Sequence, residues 1–148
     1  MKQTQFEIEI VNRNSLPIDR ALVESGVAMT LDSEGIARAA ISVAIVGNSE
    51  MRRLNKLHLE HDYDTDVLSF SLGSDTSILS GELIISSEFA TQKAIKLGWR
   101  ADHELLLYTV HGTLHLCGYD DRTPEQRQEM RNRELFVLEK LGVTARYE

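Results

Sequence analysis

The residues of this chain best placed to do chemistry are two histidines four apart, His111 and His115, followed by Asp121. The segment that carries the histidines, residues 102–117, reads as helix. Side chains four apart on a helix share one face, with about 5–6 Å between Cβ atoms. Two imidazoles so placed can converge on one Zn²⁺ at about 2.0–2.1 Å, and a catalytic zinc needs a third protein ligand and an open fourth position. Gly118 offers the means to bring that ligand. Glycine adopts the left-handed conformation that ends a helix and turns the chain, and Asp121 follows three residues later. The expected centre is one Zn²⁺ per chain, held by His111, His115 and Asp121.

A plainer reading competes with this one. Two histidines on a buried helix face can be hydrogen-bonded core residues, and Asp121 can be a turn acid before the helix cap at Thr123. The glycine stop and the correctly spaced carboxylate favour the metal. Cys117 is a possible soft ligand, but it lies two residues after His115, about 200° round the helix, and is expected to be a buried structural thiol. Asp120 is the rival carboxylate, and Tyr119 is expected to pack. The His-x3-His-x2-Gly-x2-Asp layout has the ligand spacing of the metzincin zinc proteases. Those proteases place a glutamate, the general base of peptide hydrolysis, directly after the first histidine. Gly112 stands there in this chain.

The rest of the sequence must build a scaffold for that site. Its 148 residues suit one domain, and 42% of them are hydrophobic, enough for a core without added staples. The single cysteine cannot form an internal disulfide, so a reducing cytoplasm is the simplest home. No apolar run follows the opening Met1, and no stretch approaches the roughly 20 apolar residues of a membrane span. Neither a secretory leader nor a membrane partner is expected. The formal net charge of −7 argues against nucleic-acid binding by bulk electrostatics. It leaves room for a localised basic groove on an acidic body.

Strands are expected over residues 6–10, 40–46, 66–72 and 82–86, the last two joined as a hairpin through a loop over 73–81. A helix is expected from Ser15-Leu16-Pro17 to about Met29, and another over residues 49–60. Further helices are expected over 87–97, stopped by Gly98, and over 102–117, stopped by Gly118. The last begins at Thr123-Pro124, with Gln126 completing a capping box, and ends near Leu141. Strands come mostly early and helices mostly late. That order favours α+β: a single domain over 1–148, with a sheet of about four strands packed with four or five helices.

At its histidine motif the sequence resembles the YbeY family of rRNA maturation endoribonucleases. The family signature reads His-Gly-x-Leu-His-Leu-x-Gly-Tyr-Asp-His, and residues 111–120 fit its first ten positions. Thr65 to Phe70 and Gly81 to Ser86 match two further family blocks. Leu54-Asn55 sits at the family's spacing before the first of these blocks, and Met130 and Glu134 fall in the expected final helix. The resemblance implies an α+β fold with zinc in a cleft between sheet and helices. It also implies single-strand-specific cleavage of ribosomal RNA in small-subunit maturation and ribosome quality control, with the ribosome or its assembly proteins as partners.

Two positions depart from the family pattern. The family's third ligand is usually His, where this chain has Asp121. A carboxylate is a competent zinc ligand, but it lowers the charge of the site by one and weakens the Lewis acid. Many members also carry an arginine shortly before the Thr-Asp-Val block, and Leu59 stands there in this chain. Arg52, Arg53 and Lys56 are possible substitutes, or an ordinary solvated helix face. His58, Asp66 and Glu82 are polar candidates for the cleft, and no general base is identified among them. Attack by the RNA's own 2′-hydroxyl stays open. The rival functions are a zinc peptidase and a non-catalytic, zinc-stiffened ribosome-assembly factor.

Overall fold

The structure is a computed structural model that describes residues 4–59, 67–73 and 77–147. The elements run β1 (Gln5–Asn12), α1 (Arg20–Ser33), β2 (Arg38–Val46), α2 (Asn48–Leu59), β3 (Val67–Ser71), β4 (Leu79–Ser86), α3 (Ser87–Leu97), α4 (Ala101–Leu116) and α5 (Pro124–Lys140). The four strands form one mixed sheet in the order β1-β2-β4-β3. β1 pairs parallel with β2, β2 parallel with β4, and β3 antiparallel with β4, so the expected hairpin is present. This is the α+β architecture expected of the sequence, in one domain.

Burial follows position in the sheet. β1 lies at an edge and alternates exposed with half-buried residues, while central β2 and β4 end in runs buried on both faces. Successive side chains of a strand point to opposite faces. Ile41, Val43, Ile45, Leu83 and Ile85 therefore share one face, which packs with α1, α3 and α4 residues such as Val27, Ala90 and Leu105. Ala44, Val46 and Ile84 lie on the other face, under Met51 and Leu54 of α2.

α4 is the central pillar. It is apolar nearly all round, as a helix enclosed on most sides must be. From Glu104 to Leu116 every residue is buried except His111 and His115, whose side chains are 24% and 25% exposed. The two histidines are thus the points where this stretch of the helix meets solvent, not members of its packed surface. On the opposite side α4 sits close to the sheet. A Cβ added at Gly112 would lie 2.9 Å from Val67 Cγ2 and 3.0 Å from Leu83 Cδ2. Ser69 Oγ donates to the Gly112 carbonyl at 3.1 Å across the same contact.

α1 begins and ends later than expected, at Arg20 and Ser33. Asp19 is the cap, its side chain accepting from the Leu22 amide at 3.1 Å. Pro17 belongs to the preceding stretch. There Asn12 and Asn14 hold local turns by accepting from the amides of Asn14 and Ser15. The helix continues past Met29 because Thr30 and Leu31 are fully buried. Glu60, expected to end α2, and Thr65 and Asp66 lie outside the described residues. Among the described residues no helix is long and apolar enough to cross a membrane.

Candidate metal centre

The end of α4 is built to turn the chain back on the histidines. The Gly118 amide donates to the His115 carbonyl at 3.0 Å, and the Tyr119 amide donates to the Leu114 carbonyl at 3.1 Å. This paired closure requires a left-handed residue between helix and loop, and Gly118 supplies it with φ of +105°. Five residues on, at Thr123, the next helix is fixed by its capping box. The Gln126 amide donates to Thr123 Oγ1 at 3.1 Å, and the Thr123 amide donates to Gln126 Oε1 at 3.0 Å. Residues 119–122 are therefore a short bridge pinned at both ends, and Arg127 grips its middle by donating to the Asp121 carbonyl at 3.2 Å.

That bridge places Asp121 Oδ2 3.5 Å from His111 Nε2 and 3.4 Å from His115 Nε2. The two Nε2 atoms are 3.1 Å apart. A tetrahedral zinc with ligands at about 2.0–2.1 Å separates its ligand atoms by about 3.3–3.4 Å. The three atoms thus form a triangle of the size of one face of that tetrahedron.

The protonation of the rings makes the same point independently. His115 Nδ1 lies 3.0 Å from the Tyr119 carbonyl, which can only accept, so Nδ1 carries the proton and Nε2 of the neutral ring is bare. His111 Nδ1 lies 2.6 Å from Glu134 Oε2, and a carboxylate there fixes the same tautomer. In their neutral form both rings turn an Nε2 lone pair toward the Asp121 carboxylate, the protonation that a bound cation selects. Such a set is repulsive by itself and is satisfied by a cation. The residues present fit a metal ion, and His111, His115 and Asp121 together could hold one.

The remaining candidates fall elsewhere. Asp120 serves its own loop: Oδ1 accepts from the Asp121 amide at 2.8 Å, and Oδ2 pairs with Arg122 Nε at 3.2 Å. Cys117 packs against the core under the sheet, and burial pushes its thiol up to about 12, aided by nearby Glu34. A thiol so reluctant to ionise is a poor metal ligand. Tyr119 does pack, but it also does more than expected. Its carbonyl orients His115, and its hydroxyl donates to Glu34 Oε1 at 2.8 Å. Burial, then Glu34, raises its pKa. Arg133 Nε donates to the other Glu34 oxygen at 2.8 Å, so α1, the bridge and α5 are tied together behind the ligands.

Glu82 lies on the α2 face of the sheet, opposite Phe70 and away from α4. Arg52, Arg53 and Lys56 lie on the exposed side of α2, across the sheet from the histidines. The side chains of His58 and Leu59, and the whole of Asp66, lie outside the described residues.

Glu134 was noted in the sequence only as a family position in the final helix, and its role is the chief addition of the structure. It is 5% exposed and shares the buried stripe of α5 with Met130, Val137 and Leu138. An acid on such a stripe requires a partner, and that was the readable signal. A cleft of about 530 Å³ opens beside it. His111 and Asp121 lie in its wall, together with Lys93, Arg127, Arg131 and Arg146.

Fold and site together define a small α+β protein with three residues able to hold a metal ion at the end of its central helix. Comparison with known proteins places the chain in a family. The family model described as Endoribonuclease YbeY matches residues 5–142. An Endoribonuclease YbeY of Chlorobaculum parvum is 35% identical, over 90% of this chain and 94% of its own length. The Endoribonuclease YbeY of Bacillus licheniformis is 37% identical, over 87% and 90%. A Thermotoga maritima protein solved in solution shares the fold with a TM-score of 0.61, at 24% identity and 91% coverage of each chain. This chain belongs to the endoribonuclease YbeY family.

Proposed function

We propose that the chain is a zinc-dependent, single-strand-specific endoribonuclease that acts in small-subunit ribosomal RNA maturation and ribosome quality control. The observation that carries the reading is the triangle of donor atoms from His111, His115 and Asp121, which opens on a cleft lined with cations. Zinc held there supplies Lewis acidity toward a phosphodiester.

The chain's own residues do the rest. Lys93, Arg127, Arg131 and Arg146 line the cleft and give an acidic protein a local basic surface for phosphates. Unpaired RNA can bend a phosphate into such a cleft, whereas a duplex holds its strands stacked and paired. The cleft carboxylates Glu104 and Glu134 are already engaged, Glu104 by Trp99 Nε1 at 2.9 Å and Glu134 by His111. Neither is offered as a general base, and attack by the RNA's 2′-hydroxyl needs no protein carboxylate. The net charge of −7 fits delivery by a ribosomal protein or assembly factor, and the single cysteine fits a reducing cytoplasm.

The peptidase reading loses ground at Gly112. The position where a metzincin carries its base faces the sheet, where an added Cβ would lie 2.9 Å from Val67 Cγ2 and 3.0 Å from Leu83 Cδ2. Zinc-loaded protein should cut unstructured RNA oligonucleotides in preference to duplex and leave casein intact. Zinc-dependent casein cleavage without RNA cleavage would establish the peptidase. Zinc binding and ribosome association with neither activity would establish the assembly factor.

A further inference from the structure

Residues after α5 fold back over the cleft. Val143 is buried against the cluster that contains Leu106, Met130 and Leu138, and Ala145 and Tyr147 pack on the same cluster. Arg146 Nη1 donates to the Leu97 and Gly98 carbonyls at 3.3 and 2.9 Å, where α3 ends. A cation there also suits the negative end of that helix. The Arg131 guanidinium lies 3.9 Å from the centre of the Tyr147 ring. The segment is thus anchored in the core, at the end of α3 and on the face of α5.

These anchors deliver the Tyr147 hydroxyl to Glu134 Oε1, to which it donates at 2.8 Å. The other oxygen of the same carboxylate meets His111 Nδ1 at 2.6 Å. Glu134 is 5% exposed, so water is a poor substitute for either partner. With both oxygens engaged, the carboxylate is held against rotation, and so is the imidazole it orients.

We propose that Tyr147 is a positioning residue for the metal centre, acting on the ligand His111 through Glu134. The inference rests on the metal-site reading above. It concerns a residue outside the span of 5–142 that the family model matches.

The test is zinc affinity, read by competition with a chromogenic chelator. Five proteins are compared: the parent, Y147F, E134Q, their double variant and H111A, with thermal unfolding confirming that each folds. Loss of a partner that orients a metal-bound histidine typically costs about 10–100-fold in affinity. E134Q should fall in that range and Y147F should lose about three- to tenfold. The double variant should bind no more weakly than E134Q alone, because Tyr147 works through a carboxylate that is already altered. Parent-like affinity in Y147F, or a loss that adds in full to that of E134Q, would overturn the role of Tyr147 and leave the metal site standing. Undiminished zinc binding by H111A would overturn the metal site itself.

Discussion

His111 and His115 are one turn apart on the same helix and present the same atom to the same point, yet they are held in different ways. His115 is oriented by a neutral backbone carbonyl four residues away, in the loop that its own helix end creates. His111 is oriented by a buried carboxylate 23 residues away, on another helix. The first support is local and comes with the helix stop at Gly118. The second exists only once α5 has packed on α4. A carboxylate partner also makes the ring a more basic ligand than a carbonyl does. Metal affinity should therefore depend on tertiary packing through His111 and on loop geometry through His115.

The largest effects come from removing ligands, which erases the comparison altogether. His111→Ala, His115→Ala and Asp121→Ala should each leave purified protein with far less than stoichiometric zinc by elemental analysis, and without RNA cleavage. Asp121→His should retain zinc, since it restores the ligand usual in the family, and circular dichroism should show the fold intact in all four. Parent-like zinc content in Asp121→Ala would remove the carboxylate from the site.

A smaller effect isolates the distant support. Glu134→Gln keeps the shape and removes the charge, so zinc affinity should fall about 10–100-fold while both histidines remain. Unchanged affinity would mean that the His111 contact orients nothing.

The smallest effect belongs to the local support, because a carbonyl cannot be mutated away. Tyr119→Phe keeps that carbonyl and removes only the hydroxyl that meets Glu34. Zinc affinity should stay within about twofold of the parent, while stability falls by about 1–2 kcal/mol, a drop of several degrees in Tm. A loss of zinc affinity as large as that of Glu134→Gln would show that the bridge depends on Glu34 more than on its two helix caps.

The same contrast explains what could be read in the sequence. α3, α4 and α5 were legible to within a residue because their signals are local: Ser86 and Gly98 bound α3, Gly118 stops α4, and Thr123 with Gln126 caps α5. The three candidate ligands were legible for the same reason, since helix geometry and a glycine turn fix their spacing. α1 was placed too early because Pro17 and Asp19 are both start signals and only side-chain contact decides between them. The partners of Glu134 were illegible, as they come from α4 and from the segment after α5. Gly112 was read as a missing base, and the reason for it, close contact of α4 with β3 and β4, is a property of the folded chain.

The central claim is that two imidazoles and one carboxylate, with no thiolate, hold the metal. Zinc-edge X-ray absorption on stoichiometrically loaded protein tests it most directly. The account predicts a first shell of nitrogen and oxygen at about 2.0–2.1 Å, with the outer scattering of two imidazole rings. A sulfur at about 2.3 Å, which only Cys117 or a methionine could supply, or the scattering of fewer than two rings, would contradict it.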